Sequence, residues 1–159
     1  MAVIEYCRNM LSISDANSEE FVPQPRTPRD SAIMFMPEGS KEALGGTMRL
    51  GSRTTVLRPG TIASQLYNHA AQVDERHRHR YEVNPDLVDL LEEKGLIFSG
   101  KDTTGQRMEI VELKPETHPY FVGVQFHPEY KSRPLRPSPV FLGLLQAVQK
   151  NKRSRGSKS

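Results

Sequence analysis

His127-Pro128-Glu129 follows the apolar run YFVGVQF at residues 120–126. In open α/β sheets, active groups collect at the carboxyl ends of strands. A histidine there can serve as a general base, because its ordinary pKa lies near neutrality. A carboxylate two residues on, in extended chain, projects to the same side, and Pro128 restricts the turn between them. Glu129 could then accept from one imidazole nitrogen and leave the other to take a proton from a nucleophile. The plainer alternative is a His-Pro turn with a solvent-facing glutamate. His77 and His79 alternate with Arg76, Arg78 and Arg80 in ERHRHRYE. Three interleaved cations repel a divalent ion and no acid or cysteine pattern completes a ligand set, so no metal is expected. In a strand the arginines point one way and the histidines the other, leaving one face for a substrate or nucleotide. Gly45, Gly46 and Gly51 read as two tight turns around a strand rather than a phosphate loop, since no helix N-terminus follows. Arg49 between them reads as a salt-bridge partner.

The elements that must position these residues follow from periodicity. Residues 2–11 read as a helix with Val3, Ile4, Cys7, Met10 and Leu11 on one stripe. It opens with no capping residue ahead of it, which suggests a missing upstream part. Residues 22–31 hold three prolines and read as a surface loop. Residues 32–36 and 47–57 read as strands around a glycine-containing loop at 37–46. Thr61 can cap a helix over TIASQLYNHA, and residues 75–82 read as extended. Asn84-Pro85-Asp86 is a helix start, with Leu87, Leu90 and Leu91 inward and Gly95 as the stop. Residues 96–99 and 108–113 read as strands. The run at 120–126 suits a strand buried on both faces of a sheet. Ser138 starts a last helix with Phe141, Leu144, Leu145 and Val148 inward. This order predicts an α/β protein with a mixed sheet and flanking helices.

With 159 residues the chain suits one domain. The net charge of +3 belongs to the tail: Lys150, Lys152, Arg153, Arg155 and Lys158 contribute five positive charges. Removing these five from 22 leaves 17 basic against 19 acidic residues, a body at −2, so the fold itself offers no basic nucleic-acid-binding surface. Residues 149–159 are expected to form a solvated, disordered tail. One cysteine excludes an internal disulfide framework and fits a cytoplasmic compartment. No run of ~18 apolar residues is present, so no membrane-spanning helix is expected.

The segments GVQFHPEYKSRPLRPSPVFLGLL, GGTMRLG, ERHRHRYEVN and DANSEEF, taken together, resemble the CTP synthase family over residues 1–148. The resemblance implies the C-terminal part of a triad-type glutaminase domain. It also implies a flavodoxin-like class I glutamine amidotransferase fold, with a mostly parallel or mixed sheet, truncated at its N-terminal side. In that family a cysteine thiolate attacks the glutamine side-chain amide. The ammonia released travels to a synthetase domain, where it aminates UTP activated by ATP. Mg2+ accompanies ATP, and GTP is an activator. By match to the family's motifs, His127 is the base, Glu129 its orienting partner, Glu20 a holder of the substrate amino group and Arg80 a holder of its carboxylate. An amino-acid zwitterion needs one anion and one cation facing it.

The family's nucleophile sits in a Gly-x-Cys-x-Gly-Met-Gln turn just before the helix that here reads AVIEYCRNML, and this sequence has no such turn. Cys7 lies within the helix, on its apolar stripe, and reads as an inert buried thiol. No Gly-Lys-Ser/Thr phosphate loop is present, so the fragment itself is expected to hold no cofactor. The expected partners are glutamine and either the family's synthetase domain or full-length subunits, which form tetramers and filaments in the family. The first expectation is a fragment of a synthase, inactive alone. Two rivals are a short non-catalytic paralogue that binds and regulates full-length synthase, and a stand-alone γ-glutamyl hydrolase using Cys7. With sheet strands missing, the 120–126 strand is expected to show an exposed edge.

Overall fold

A computed structural model of the protein describes residues 1–36 and 48–156. The loop expected at 37–46, the first glycines of GGTMRLG and the last three residues lie outside the described residues. Helix α1 spans Ala2–Met10 with Val3, Ile4 and Cys7 buried, as its stripe predicts, while Met10 is exposed. No side chain caps its start. Strands β1 (Asn17–Ser18) and β2 (Ser31–Phe35) flank the proline-containing loop.

Strand β3 is Arg49–Leu57, and α2 is Ile62–Leu66, capped by Thr61, whose side chain accepts from the Ser64 N–H. The expected helix is cut short because Asn68 and His69 take left-handed φ values of 54° and 59°. The Glu112 carboxylate completes the cap, accepting from Ile62 N at 2.7 Å and Ala63 N at 3.0 Å. Residues 75–82 are extended but not one strand: β4 (Gln72–His79) and β5 (Tyr81–Val83) join different sheets, and Arg80 is the joint. Asn84 caps the turn at Pro85–Leu87, and helix α3 (Val88–Glu93) ends before Gly95, whose φ of 98° suits glycine. Strands β6 (Ile97–Asp102), β7 (Met108–Glu112) and β8 (Val122–Val124) follow, then helix α4 (Pro139–Gly156).

The class is α/β with a mixed arrangement. A three-stranded sheet runs β1-β2-β5, with β1 and β2 parallel. A five-stranded sheet runs β4-β3-β6-β7-β8, and every described pairing in it is antiparallel. Helix α1, the turn at Pro85–Leu87 and helix α3 press Ile4, Cys7, Leu87 and Leu91 onto Phe98, Met108 and Val111, forming the main core. A smaller core joins Leu57, Ala63, Ile110 and Phe126.

Three expectations need correction. The run at 120–126 is not a strand buried on both faces: only residues 122–124 form β8, half-buried at the edge of the sheet against β7. Phe141, Leu144, Leu145 and Val148 do not face inward; they are 42–61% exposed. The helix instead packs through Val140 and Gly143, where hydrogen replaces a side chain so that Leu66 and Tyr120 can approach. The basic segment is not wholly coil, because α4 continues through residues 149–156. Glutamine, lysine and arginine in that stretch are good helix formers, and propensity prevails over the charge run there.

Candidate functional site

The His-Pro-Glu motif is held by a turn, not by extended chain. Pro128 opens a short 3-10 turn over Pro128–Tyr130, its fixed φ suiting the first position. The turn folds Glu129 back toward the ring before it. His127 Nδ1 lies 2.8 Å from Glu129 Oε1. With the proton on Nδ1 and donated to the carboxylate, Nε2 is left as an acceptor, which is the arrangement a general base needs. Both side chains reach solvent, His127 at 41% and Glu129 at 57%. Glu129's own backbone N–H and the imidazole hold its carboxyl below the usual range. The Tyr130 ring meets the imidazole at 5.7 Å and 67°.

Two strands fix this turn. Gln125 N–H donates to Glu109 O at 2.8 Å, continuing the pairing of β8 with β7. Two residues later the chain has crossed to the opposite edge of the sheet, where His127 N–H donates to Arg76 O on β4 at 2.8 Å. Lys131 Nζ donates to Asp74 O on the same strand. The candidate base therefore rides on the arginine strand. The alternation along β4 is as expected: Arg76 and Arg78 are exposed, while His77 is buried and His79 half-buried.

Glu20 and Arg80 line one cavity of about 450 Å³, together with Met1, Ile33, Tyr81 and Gln125. Sixty residues separate these opposite charges in sequence, and the fold brings them to one space. His127 is not among the lining residues; it lies two residues beyond Gln125, whose Nε2 donates to Tyr81 O at 3.0 Å. Cys7 is elsewhere, fully buried in the main core, and burial pushes its thiol up to about 11. Among the described residues no group of three or more His, Cys, Asp or Glu side chains is placed to hold a metal ion. Nor is any helix there long and apolar enough to cross a membrane.

Beneath β3 lies a polar lattice that sequence reasoning saw only as one salt-bridge partner, Arg49. That arginine is buried and meets Glu109 Oε1 at 2.5 Å and Asp102 at 3.9 Å. Thr55 Oγ1 donates to the other Glu109 oxygen. Burial raises the Glu109 carboxyl, and Thr55 and Arg49 offset part of this. Burial also acts to raise Asp102, but N–H donors from Arg107 and Gln106, the Thr104 hydroxyl and Arg49 outweigh it and bring it below its ordinary value. The residues sit in β3, β6 and β7, and β7 is buried along its whole length, so alternation gave no signal that Glu109 would be enclosed.

The family described as glutamine amidotransferase class-I matches residues 4–147. CTP synthase of Neurospora crassa is 57% identical over 151 residues, which is 93% of this chain and 25% of that protein. CTP synthase 2 of Xenopus laevis is 56% identical over 149 residues, with the same two shares. The solved glutaminase domain of Trypanosoma brucei CTPS with bound acivicin matches with a TM-score of 0.82 at 37% identity. That match covers 94% of this chain and 56% of that one. The chain spans about a quarter of the length of the curated relatives it matches.

Proposed function

The chain belongs to the glutamine amidotransferase class-I family, and from that premise we propose that it carries the substrate-holding and base side of a CTP synthase glutaminase site. Glu20 and Arg80 hold the amino and carboxylate ends of glutamine. His127 Nε2 takes the proton of an attacking thiol, and Glu129 stabilises the imidazolium through Nδ1. The thiolate attacks the side-chain amide carbon, and His127 returns the proton to the leaving ammonia. The same nitrogen then takes a proton from the water that releases glutamate. The thiol comes from polypeptide outside this sequence, because the only cysteine is Cys7 and it is buried with a raised pKa. A stand-alone γ-glutamyl hydrolase built on Cys7 is disfavoured on the same ground.

The ammonia would serve ATP-dependent amination of UTP to CTP in the complete enzyme. The described residues offer no ligand cluster for Mg2+, and the sequence holds no phosphate loop for ATP. No step of that reaction is assigned to this chain.

The observation that carries the reading is the cavity shared by Glu20 and Arg80, whose lining residue Gln125 precedes His127 by two positions. Calorimetry with L-glutamine tests it. The chain binds one glutamine, Glu20→Ala and Arg80→Ala each weaken binding by about tenfold or more, and His127→Ala leaves it within about twofold. No ammonia is released by the chain alone. Absence of binding, or ammonia release that survives His127→Ala, overturns the reading. A second reading, binding and regulation of a full-length synthase subunit, is favoured by the exposed apolar side of α4. Co-purification at the native mass of 18.0 kDa with a longer synthase subunit supports it. Recovery of these peptides only within a longer polypeptide returns the chain to the first reading.

A further inference from the structure

We infer that Glu19, the neighbour of the proposed substrate ligand Glu20, is a positioning residue that sets the spacing between Glu20 and Arg80; this rests on glutamine occupying the cavity they share. Glu19 does not line that cavity, and both of its oxygens are already engaged. Oε1 accepts from the Ser31 hydroxyl at 2.7 Å, and Oε2 accepts from the Phe35 N–H at 2.7 Å. Ser31 and Phe35 are the first and last residues of β2. Strand β1 pairs with β2 through Asn17 and Ser18, opposite Ser31 and Ile33, and the Glu19 N–H extends the ladder by one bond, to Ile33 O at 2.9 Å. The chain then turns away, and Phe21 and Val22 N–H groups donate back to Ser18 O. The Glu19 carboxylate takes over from the backbone there, satisfying a strand donor that the departing chain no longer reaches.

The opposite edge of β2 carries the other end of the site. Phe35 pairs with Tyr81, and Met36 N–H donates to Arg80 O at 3.1 Å. One strand thus separates the two charges. Glu20 is tied to it through Glu19, and Arg80 through its own carbonyl. The Glu20 N–H donates to the Ser18 hydroxyl at 3.2 Å, which fixes the turn from its inner side. The Glu20 carboxylate takes no hydrogen bond among the described residues, so its position depends on this backbone. Glu19 and Glu20 are adjacent acids of the same type with opposite assignments, one bonding inward and one facing the cavity.

The test uses the whole chain and two ligands, L-glutamine and 4-carbamoylbutanoate, which is glutamine without its α-amino group. Only the first needs Glu20. Glu19→Ala is expected to weaken L-glutamine by about tenfold and the desamino analogue by no more than about twofold. Glu19→Gln rescues most of the loss, because its amide oxygen can accept from Phe35 N–H while its NH2 donates to the Ser31 hydroxyl. Amide hydrogen exchange at Phe35 quickens in Glu19→Ala and not in Glu19→Gln. An equal loss for both ligands, or no loss for either, overturns the positioning role while leaving the cavity reading in place. Failure of the unsubstituted chain to bind either ligand removes the cavity reading and this assignment with it.

Discussion

Among the histidine–glutamate pairs of the described residues, two differ in everything but residue type. His127 and Glu129 meet at 2.8 Å on a solvent-facing turn. His77 Nε2 and Glu109 Oε1 lie 3.9 Å apart with both side chains fully enclosed. Exposure leaves the first pair open to solvent and substrate, and Glu129's own backbone N–H and the imidazole hold its carboxyl below the ordinary value. Enclosure disables the second pair. Burial, then His79, Arg49, Arg53 and His127, push His77 down to about 3, so it is neutral throughout the physiological range. Neither of its ring nitrogens has a hydrogen-bond partner among the described residues. Its ring instead packs on Phe126 at 5.7 Å. Chemistry follows access to solvent and substrate, and the buried pair serves the sheet instead.

The sharpest way to break this contrast is at the buried pair. Arg49→Met leaves Glu109 without its cation and is expected to cost about 3–5 kcal/mol in urea denaturation. Retention of wild-type stability would show that the lattice is not structural. Next in size is a pH effect. His77 has a folded value below its ordinary 6.5, so its contribution is complete above that value and drains as pH falls toward 3. The loss is up to about 1.4 kcal/mol per pH unit. Glu109, with a raised folded value, runs the other way: its contribution is present at low pH and is lost as pH rises through that value. The stability difference between wild type and His77→Leu, measured across pH, isolates the histidine and should change steadily below pH 6.5. A flat difference would mean that His77 is protonated in the fold.

Smaller effects sharpen the exposed side. Cys7 follows the same rule as the buried pair, so iodoacetamide at mild alkaline pH should leave it unmodified until the chain unfolds. Rapid labelling of the native chain would contradict its burial. The smallest change is expected from Glu129→Gln, which leaves the denaturation midpoint in place. The 15N shifts of the His127 ring should then move toward those of an imidazole exchanging between tautomers. Unchanged shifts would show that Glu129 does not orient the base.

Legibility varied with range. The Asn84-Pro85-Asp86 start, the Gly95 stop and the α1 stripe were plain in the sequence, because each depends on backbone groups within a few residues. The α4 face was misjudged for a related reason. Its apolar spacing is helical, but spacing does not say which side meets a neighbour, and small Gly143 carried the packing. The 120–126 run has the composition of an interior strand, yet its place at the sheet edge is a matter of pairing order.

The sequence by itself determined that His127, Pro128 and Glu129 could form a local pair, since a proline turn needs only adjacent residues. It also carried the motifs through which the chain resembles its family. Only the tertiary structure decided that His127 is suspended between β7 and β4, and that Glu20 and Arg80 face one cavity across β2. It alone separated the exposed histidine pair from the buried one. Those outcomes rest on hydrogen bonds and burial between residues tens of positions apart, where local propensity has no say and the closure of the whole sheet does.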